Sequence, residues 1–249
     1  MQNEINLKSV REFDSGILRP AITGRDMYYF SKRVMDVILA GLLLILLSPI
    51  MAVIALAIFI YSPGPVFFKQ ERVGARRIRR GNSYYWQREN FHCYKFRTMK
   101  INADPSLHKD YVQALIQNDH KTMTRLQGQQ TTVRKLVNDP RLIHPGKFLR
   151  KFSLDELPQF WNVIIGNMSM VGPRPAIPYE VEIYKPWHLR RLEAQPGISG
   201  LQQVKARCIT DFDEQVKFDI EYVDNQSLWL DIKIALQTPL AILTSRGAG

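Results

Sequence analysis

The sequence predicts an α+β protein: a mainly helical domain with a small β element, joined to one re-entrant membrane segment built as helix, break and helix. Three observations carry this. Val37 to Ile60 holds 24 residues without a charge, Ser48 and Pro49 fall at the middle of that run, and both of its flanks are basic. As one helix the run would reach about 36 Å, enough for a hydrocarbon core of ~30 Å. Pro49 has no N–H, so the Ile45 carbonyl loses its helical partner where no water replaces it. Ser48 can bond back to a nearby carbonyl, and a kink is expected there. Lys32 and Arg33 precede the run; Lys69, Arg72, Arg76, Arg77, Arg79 and Arg80 follow it. A spanning helix gathers basic residues at its cytoplasmic end, whereas a segment that turns at Ser48-Pro49 and returns satisfies both flanks. Asp36 stands at helical spacing from Lys32 and Arg33 and is expected to pair with one of them. The small-residue "ALA" at 55–57 has the form of a signal-peptide cleavage site, but the long polar stretch before the run and the apolar residues after it argue against one.

The remaining elements follow in order. Residues 1–30 read as a polar N-terminal arm, 31–62 as the membrane hairpin and 63–249 as the folded domain. "YSPGPVFFKQERVG" is a turn-rich exit followed by a short extended piece, and "NFHCYKFRTM" a strand with a shift in register. Residues 102–139 form a helical insertion that includes "LHKDYVQALIQN". "LPQFWNVIIGN" is a helix stopped by Gly166, "GPRPAIPYE" a proline-stiffened loop, and "QPGISGLQQV" a turn and a strand. "LDIKIALQTPLAIL" is a largely apolar helix suited to the core or to a bilayer surface.

Thirty-four Lys and Arg against 23 Asp and Glu leave a formal charge of +11, which favours an anionic partner. The basic residues flank an apolar segment and no nucleic-acid-binding pattern is present, so nucleic acid is not the expected partner. Cys93 and Cys208 share no motif, and the five His lack i, i+4 pairing, which gives no framework for disulfides or a Cys/His metal site. Glycine-rich nucleotide loops, GxSxG and internal repeats are absent.

The run from Leu149 to Pro175, "LRKFSLDELPQFWNVIIGNMSMVGPRP", is the most informative. Its structural reading is a capping box, Ser153-x-x-Glu156, with Asp155 adding negative charge to a helix start. Pro158 resists that reading, because it would fall at the fifth helical position, where an N–H is normally used. The chemical reading starts from geometry. Sequence neighbours on a helix point about 100° apart, so Asp155 and Glu156 cannot face each other as a glycosidase pair does. They suit separate tasks, one nucleophile and one group that orients a metal or moves a proton. Arg150 and Lys151 lie just upstream, and Arg174 is held between two prolines. Carboxylates, guanidinium groups and a helix terminus together point to phosphoryl chemistry aided by a divalent ion.

On these residues the chain resembles the bacterial sugar transferase family, the monotopic phosphoglycosyltransferases that act on polyprenol phosphate. The matching runs are "KRVMDVILAGLLLILLSP", "GPVFFKQERVG", "YKFRTM", "LRKFSLDELPQFWNVIIGNMSMVGPRP", "QPGISGLQQV" and "LDIKIALQT", in the family's order over most of residues 31–243. The resemblance implies a re-entrant segment broken at Ser48-Pro49. It also implies transfer of a sugar 1-phosphate from a UDP-sugar to undecaprenyl phosphate with release of UMP, usually with Mg²⁺, as the first membrane step of surface polysaccharide synthesis. Asp155 matches the nucleophile that forms a covalent phosphosugar, and Glu156 would support metal binding or proton movement. Arg150 matches a phosphate-contacting arginine. Arg174, Lys95, Arg97 and Arg207 are further phosphate or nucleotide candidates, and Asp231 is a candidate near the metal that as readily caps its helix. Lys32 and Arg33 could meet the headgroups of anionic phospholipids or serve as ordinary anchoring residues.

The implied location is the bacterial inner membrane, with the catalytic domain facing the cytoplasm. A homodimer is compatible with the sequence, which does not fix the oligomeric state, the sugar or the pathway. Two departures from the family's small members stand out: the longer 102–139 insertion, and a loose match near Arg207. Two rival readings are a membrane-anchored hydrolase with a carboxylate nucleophile and a non-catalytic basic scaffold.

Overall fold

The computed structural model describes residues 17–20, 24–127, 141–205 and 211–244. A short strand, β1 (Ile17–Pro20), precedes the long helix α1 (Asp26–Tyr61). Two strands follow, β2 (Phe67–Arg80) and β3 (Ser83–Phe96), then helices α2 (Ser106–Ile116) and α3 (His120–Gln127). The second half of the chain runs α4 (Gly146–Lys151), a single 3-10 turn (Leu154–Glu156), α5 (Gln159–Ile164), β4 (Ser169–Val171) and α6 (Pro178–Glu182). A 3-10 segment (Pro186–Leu192), β5 (Gly197–Ser199), α7 (Leu201–Lys205), α8 (Phe212–Asn225) and α9 (Leu228–Thr244) complete it.

Helix α1 leaves one expectation unconfirmed. The segment expected as helix, break and helix is a single helical element through Ser48 and Pro49. The local chemistry explains how it tolerates proline: Ser48 Oγ donates to the Ile45 carbonyl at 2.8 Å, the carbonyl that Pro49 leaves without an N–H. By length and composition α1 could cross a membrane, and only 11% of its most apolar stretch is buried. Its inner face is nonetheless occupied from end to end. Lys32, Asp36, Ala40, Ile54 and Ile58 are buried. Leu43, Leu44 and Leu47 pack on a central core that includes Phe91, Phe160, Val163, Met168, Tyr222 and Ile234. Met51 and Ala55 pack on a second cluster built on Phe96, Ile143 and Leu149. Leu157 touches both clusters. The opposite face, with Ile38, Leu42, Ile45, Val53, Leu56 and Phe59, is exposed.

The head of α1 is fixed by polar contacts that the sequence did not assign. Lys32 and Asp231 form a buried ion pair at 3.0 Å. Lys32 Nζ also donates to the Val171 carbonyl at 3.0 Å. Tyr28 donates to Asp231 Oδ2 at 2.9 Å, and Tyr222 Oη lies 2.7 Å from Oδ1. Asp36 does not pair with its helical neighbours; its Oδ1 accepts the Met170 N–H at 3.0 Å, at the middle of β4. Arg33 donates to the Val163 and Ile164 carbonyls at 2.5 and 2.7 Å, satisfying the end of α5. Lys32 and Arg33, for which the sequence allowed lipid headgroups or ordinary anchoring, face the domain, where backbone carbonyls and a buried carboxylate accept from them.

The β structure is larger than expected. β2 and β3 form an antiparallel ribbon of 14 residues each, closed by a two-residue turn in which Gly81 takes φ +60°. β1 pairs on the other edge of β3, giving the order β1-β3-β2. The charged run Arg76 to Arg80 hides the alternation by which a strand is recognised. β4 and β5 pair in parallel. Gly172 and Gly197 meet across that pair so closely that a Cβ on either would overlap the other's backbone, so no larger residue fits. "QPGISGLQQV", expected as a turn and a strand, splits: the strand β5 ends at Ser199 and Leu201 opens α7.

Removing one partner of a buried ion pair leaves an uncompensated charge. Asp231→Ala should destabilise the protein by about 3–5 kcal/mol, read as a fall in the unfolding midpoint in detergent. An unchanged midpoint would mean that this pair does not seat the helix.

Candidate active site

The carboxylate turn is shaped by backbone. α4 ends at Lys151, and Ser153 adopts φ +55° and ψ +23°, a left-handed conformation uncommon for a residue with a side chain. The chain then makes the single 3-10 turn and restarts at Pro158, which precedes the first residue of α5. The expected capping box is not formed: Ser153 makes no side-chain cap hydrogen bond. Pro158 thus opens a new helix, and its missing N–H costs nothing there. Gly166, at φ +90°, lies just past the end of α5, as the sequence indicates. Leu154 and Leu157 anchor the turn in the cluster of Phe96, Ile143 and Leu149. Asp155 is 7% exposed.

Glu156 points across to other elements. Its Oε1 receives Lys95 Nζ from β3 at 3.0 Å and Arg174 from the loop after β4 at 3.4 Å. Around them lies a small concavity, lined also by Arg72, Cys93, Gln159 and Pro175. Glu156 holds the Arg174 guanidinium above its ordinary range. Burial, followed by the charge of Arg174, lowers that of Arg72. Burial raises the Cys93 thiol, which keeps it un-ionised and unreactive.

Of the residues singled out from sequence, the structure joins Lys95, Glu156 and Arg174 in this cleft, with Asp155 in the adjoining turn. Arg150 stands on α4, one turn upstream of Ser153. Arg97 is elsewhere: it donates to the Ser62 and Pro63 carbonyls and closes the end of α1. Asp231 belongs to the Lys32 network, where three donors meet its two oxygens, and it does not line this cleft. Among the described residues no group of three or more His, Cys, Asp or Glu converges on one point. The donor set nevertheless fits Mg²⁺, which commonly takes one or two carboxylates and completes its shell with substrate phosphates and water. Arg207 lies outside the described residues. Ser48 and Pro49 sit in the middle of α1.

Two residues, Arg72 in the cleft and His108 outside its lining, escaped the sequence reading. Arg72 lies opposite Phe91, and Gln70 opposite Cys93, in a register that brings Arg72, Cys93 and Lys95 onto one face of the ribbon. The signal was the spacing of two in "QER" and "CYK", legible only once the two strands are paired. His108 comes from α2, in the insertion, and its pKa is lowered to about 4, first by burial and then by the charges of Arg141, Arg72 and Arg150, against the pull of Glu180.

A basic cleft with one carboxylate in it and a second in the adjoining turn, in a domain packed on an apolar helix, fits the class of membrane-seated proteins that receive phosphorylated ligands. The chain belongs to the bacterial sugar transferase family, whose sequence profile matches residues 27–245. It is 36% identical to the exopolysaccharide production protein ExoY of Sinorhizobium fredii, over 94% of this chain and 92% of that protein. It is 38% identical to the undecaprenyl-phosphate galactose phosphotransferase of Salmonella typhimurium, over 88% of this chain and 42% of that protein. It is 39% identical to the UDP-glucose:undecaprenyl-phosphate glucose-1-phosphate transferase of Escherichia coli, over 83% of this chain and 39% of that protein. The chain thus spans nearly all of ExoY and less than half the length of the other two.

His108 also gives the fold a pH dependence. Its pKa is about 4 when folded, against 6.5 for an unperturbed His. Between those values the unfolded chain binds more protons, so stability rises with pH and is lost on acidification. The loss from pH 7 to pH 4 should approach about 3 kcal/mol. His108→Gln should flatten that part of the curve of unfolding midpoint against pH, and parallel curves for the two proteins would contradict this.

Proposed function

We propose that this chain transfers a sugar 1-phosphate from a UDP-sugar to undecaprenyl phosphate, through a covalent intermediate on Asp155, with release of UMP. The observation that carries the reading is the buried Asp155 next to a Glu156 that Lys95 and Arg174 hold in place. The names of the two phosphotransferase relatives agree on the lipid phosphate and differ in the sugar, so the proposal assigns the reaction type and acceptor.

An Asp155 carboxylate oxygen attacks the sugar-bearing phosphorus of the donor. The bond between that phosphorus and the bridging oxygen breaks, and UMP leaves with the electron pair. In the second step a phosphate oxygen of the lipid attacks the same phosphorus. The bond to Asp155 breaks, restoring the carboxylate and giving a lipid diphosphate sugar. Dividing the transfer lets the soluble donor leave before the lipid reacts. Lys95 and Arg174 offset the charge of the phosphoryl oxygens, and the burial of Asp155 limits hydrolysis of the acyl phosphate. Asp155 and Glu156, with substrate phosphates, would hold Mg²⁺, which when bound screens the diphosphate.

The membrane arrangement proposed is monotopic, with the domain on the cytoplasmic side of the inner membrane beside its UDP-sugar. Lys32 and Ile58 are 26 residues apart, about 39 Å along a straight helix. A bilayer spanned by α1 would separate its ends, yet both ends rest on one domain. That favours a helix that dips into one leaflet with its apolar outer face, bent at Pro49, over one that crosses. Exposed Trp161 on α5 and Trp229, Leu236 and Leu240 on α9 extend the apolar surface and suit the interfacial layer.

Asp155→Asn should abolish UMP release from a UDP-sugar, and the wild-type protein without acceptor should carry a phosphosugar on Asp155, detected by mass. Lipid-linked product from the Asn variant would overturn the reading; release of free sugar phosphate by the wild type would favour a hydrolase. For topology, cysteines introduced before residue 32 and after residue 62 should label from the same side of the membrane, and labelling from opposite sides would mean a span.

A further inference from the structure

We propose that Arg72 is a further phosphate-binding residue of the cleft, resting on the transfer reaction proposed above. Four observations point to it. Arg72 is 7% exposed and lines the same concavity as Lys95, Glu156 and Arg174. It forms no ion pair among the described residues, although it carries a full charge out of water. Its fork is already oriented: one terminal nitrogen donates to the Pro175 carbonyl at 2.8 Å and the other to Gln70 Oε1 at 2.6 Å. Its Nε is buried and without a hydrogen-bond partner among the described residues.

A guanidinium held this way lowers the stability of the empty protein. Carbonyl and amide oxygens satisfy two nitrogens but do not neutralise the charge, and Arg174 next to it adds repulsion. The cleft lining carries three cations, Arg72, Lys95 and Arg174, and one carboxylate, Glu156, with Asp155 in the adjoining turn and the charge of Glu180 also acting on both guanidinium groups. An incoming phosphate oxygen would give Arg72 the close anionic partner that no ion pair among the described residues supplies. The Pro175 carbonyl lies in the same loop as Arg174, so the bond from Arg72 sets the two guanidinium groups in a fixed relation. Two pre-oriented guanidinium groups suit a diphosphate or a phosphate monoester.

That ligand chemistry has two sources here, the diphosphate of the soluble donor and the single phosphate of the lipid acceptor. The experiment separates them with the full chain in detergent, as wild type, Arg72→Gln and Arg72→Lys, titrated with UDP and, separately, with undecaprenyl phosphate in mixed micelles. Unfolding midpoints are taken without ligand. Arg72→Gln should weaken one of the two ligands roughly 10- to 100-fold, with an unliganded midpoint equal to or above that of the wild type. Loss confined to UDP assigns the residue to the donor; loss confined to the lipid assigns it to the acceptor; either supports the proposal. A residue that only ties β2 to the Pro175 loop behaves in the opposite way, with a lowered midpoint and affinities within about twofold of wild type, and that result would overturn the proposal. Should Arg72→Gln not fold, Arg72→Lys decides on the same criteria, since it keeps the charge and loses the fork. The transferase reading stands apart from this outcome: a wild-type protein that makes no UMP from any UDP-sugar, yet loses affinity on substitution, refutes that reaction and leaves the phosphate site intact.

Discussion

The buried pair of Lys32 and Asp231 is the constraint on which the remaining geometry rests. Taking an ammonium and a carboxylate out of water costs several kcal/mol each, and their attraction recovers that cost only with good geometry and further hydrogen bonds. Tyr28, Tyr222 and the Val171 carbonyl supply those bonds. The pair therefore works in one arrangement only, in which α1, α8, α9 and β4 meet. Val171 ends β4, and three residues later the chain reaches Arg174, whose guanidinium lies 3.4 Å from Glu156. A run of short, stiff connections thus leads from the apolar helix to the carboxylate turn. Gly172 fixes the first link by its close approach to Gly197, and prolines on both sides of Arg174 fix the next. The height of the site above the apolar surface is set by this chain of contacts.

The apolar helix is held to the domain by two different kinds of contact along its length. At its head the contacts are charged and specific; beyond Ala40 they are apolar, through Leu43, Leu44, Leu47, Met51, Ile54 and Ile58. Apolar packing alone would leave register and rotation loosely specified, because one leucine substitutes well for another. The Lys32 and Asp36 contacts remove that freedom. Arg97 closes the other end by binding the carbonyls of Ser62 and Pro63, where the chain leaves the helix. Gly64, at φ +119°, packs against this guanidinium, and a side chain there would collide with it.

What the sequence made legible follows the range of the interactions involved. The apolar run, the repair of the Ile45 carbonyl by Ser48, the end of α5 at Gly166 and the acidic turn at Asp155 and Glu156 all depend on residues within a few positions of one another. The long-range partners were not legible in the same way. Lys32 and Asp36 look like an i, i+4 pair, but each finds a partner more than 130 residues away, and burial makes those bonds the stronger ones. The Ser153 to Glu156 capping box is a correct local pattern overridden from outside, because Lys95 and Arg174 offer Glu156 a charged partner that a backbone N–H cannot match. Arg72 was hidden for a third reason. Its role depends on strand register, and register could not be read through a run of arginines.

The charge balance of the cleft bears on how a buried carboxylate can act as a nucleophile. Asp155 is buried, and an anionic donor must approach it. Cations nearby favour ionised carboxylates and attract phosphate oxygens. Glu156 also tethers the loop that carries Arg174. A cleft lined by Arg72, Lys95 and Arg174 gains most from a ligand that brings negative charge. The outer face of α1 and Trp229, Leu236 and Leu240 of α9 are apolar and exposed, so under the proposed reaction a lipid with a phosphate head brings its charge to the cations while its chain stays in the bilayer. A soluble nucleotide sugar needs only the polar side of the cleft. Under the proposed reaction, one cationic cleft serves two substrates of different solubility, one after the other, without moving the acid that both must reach.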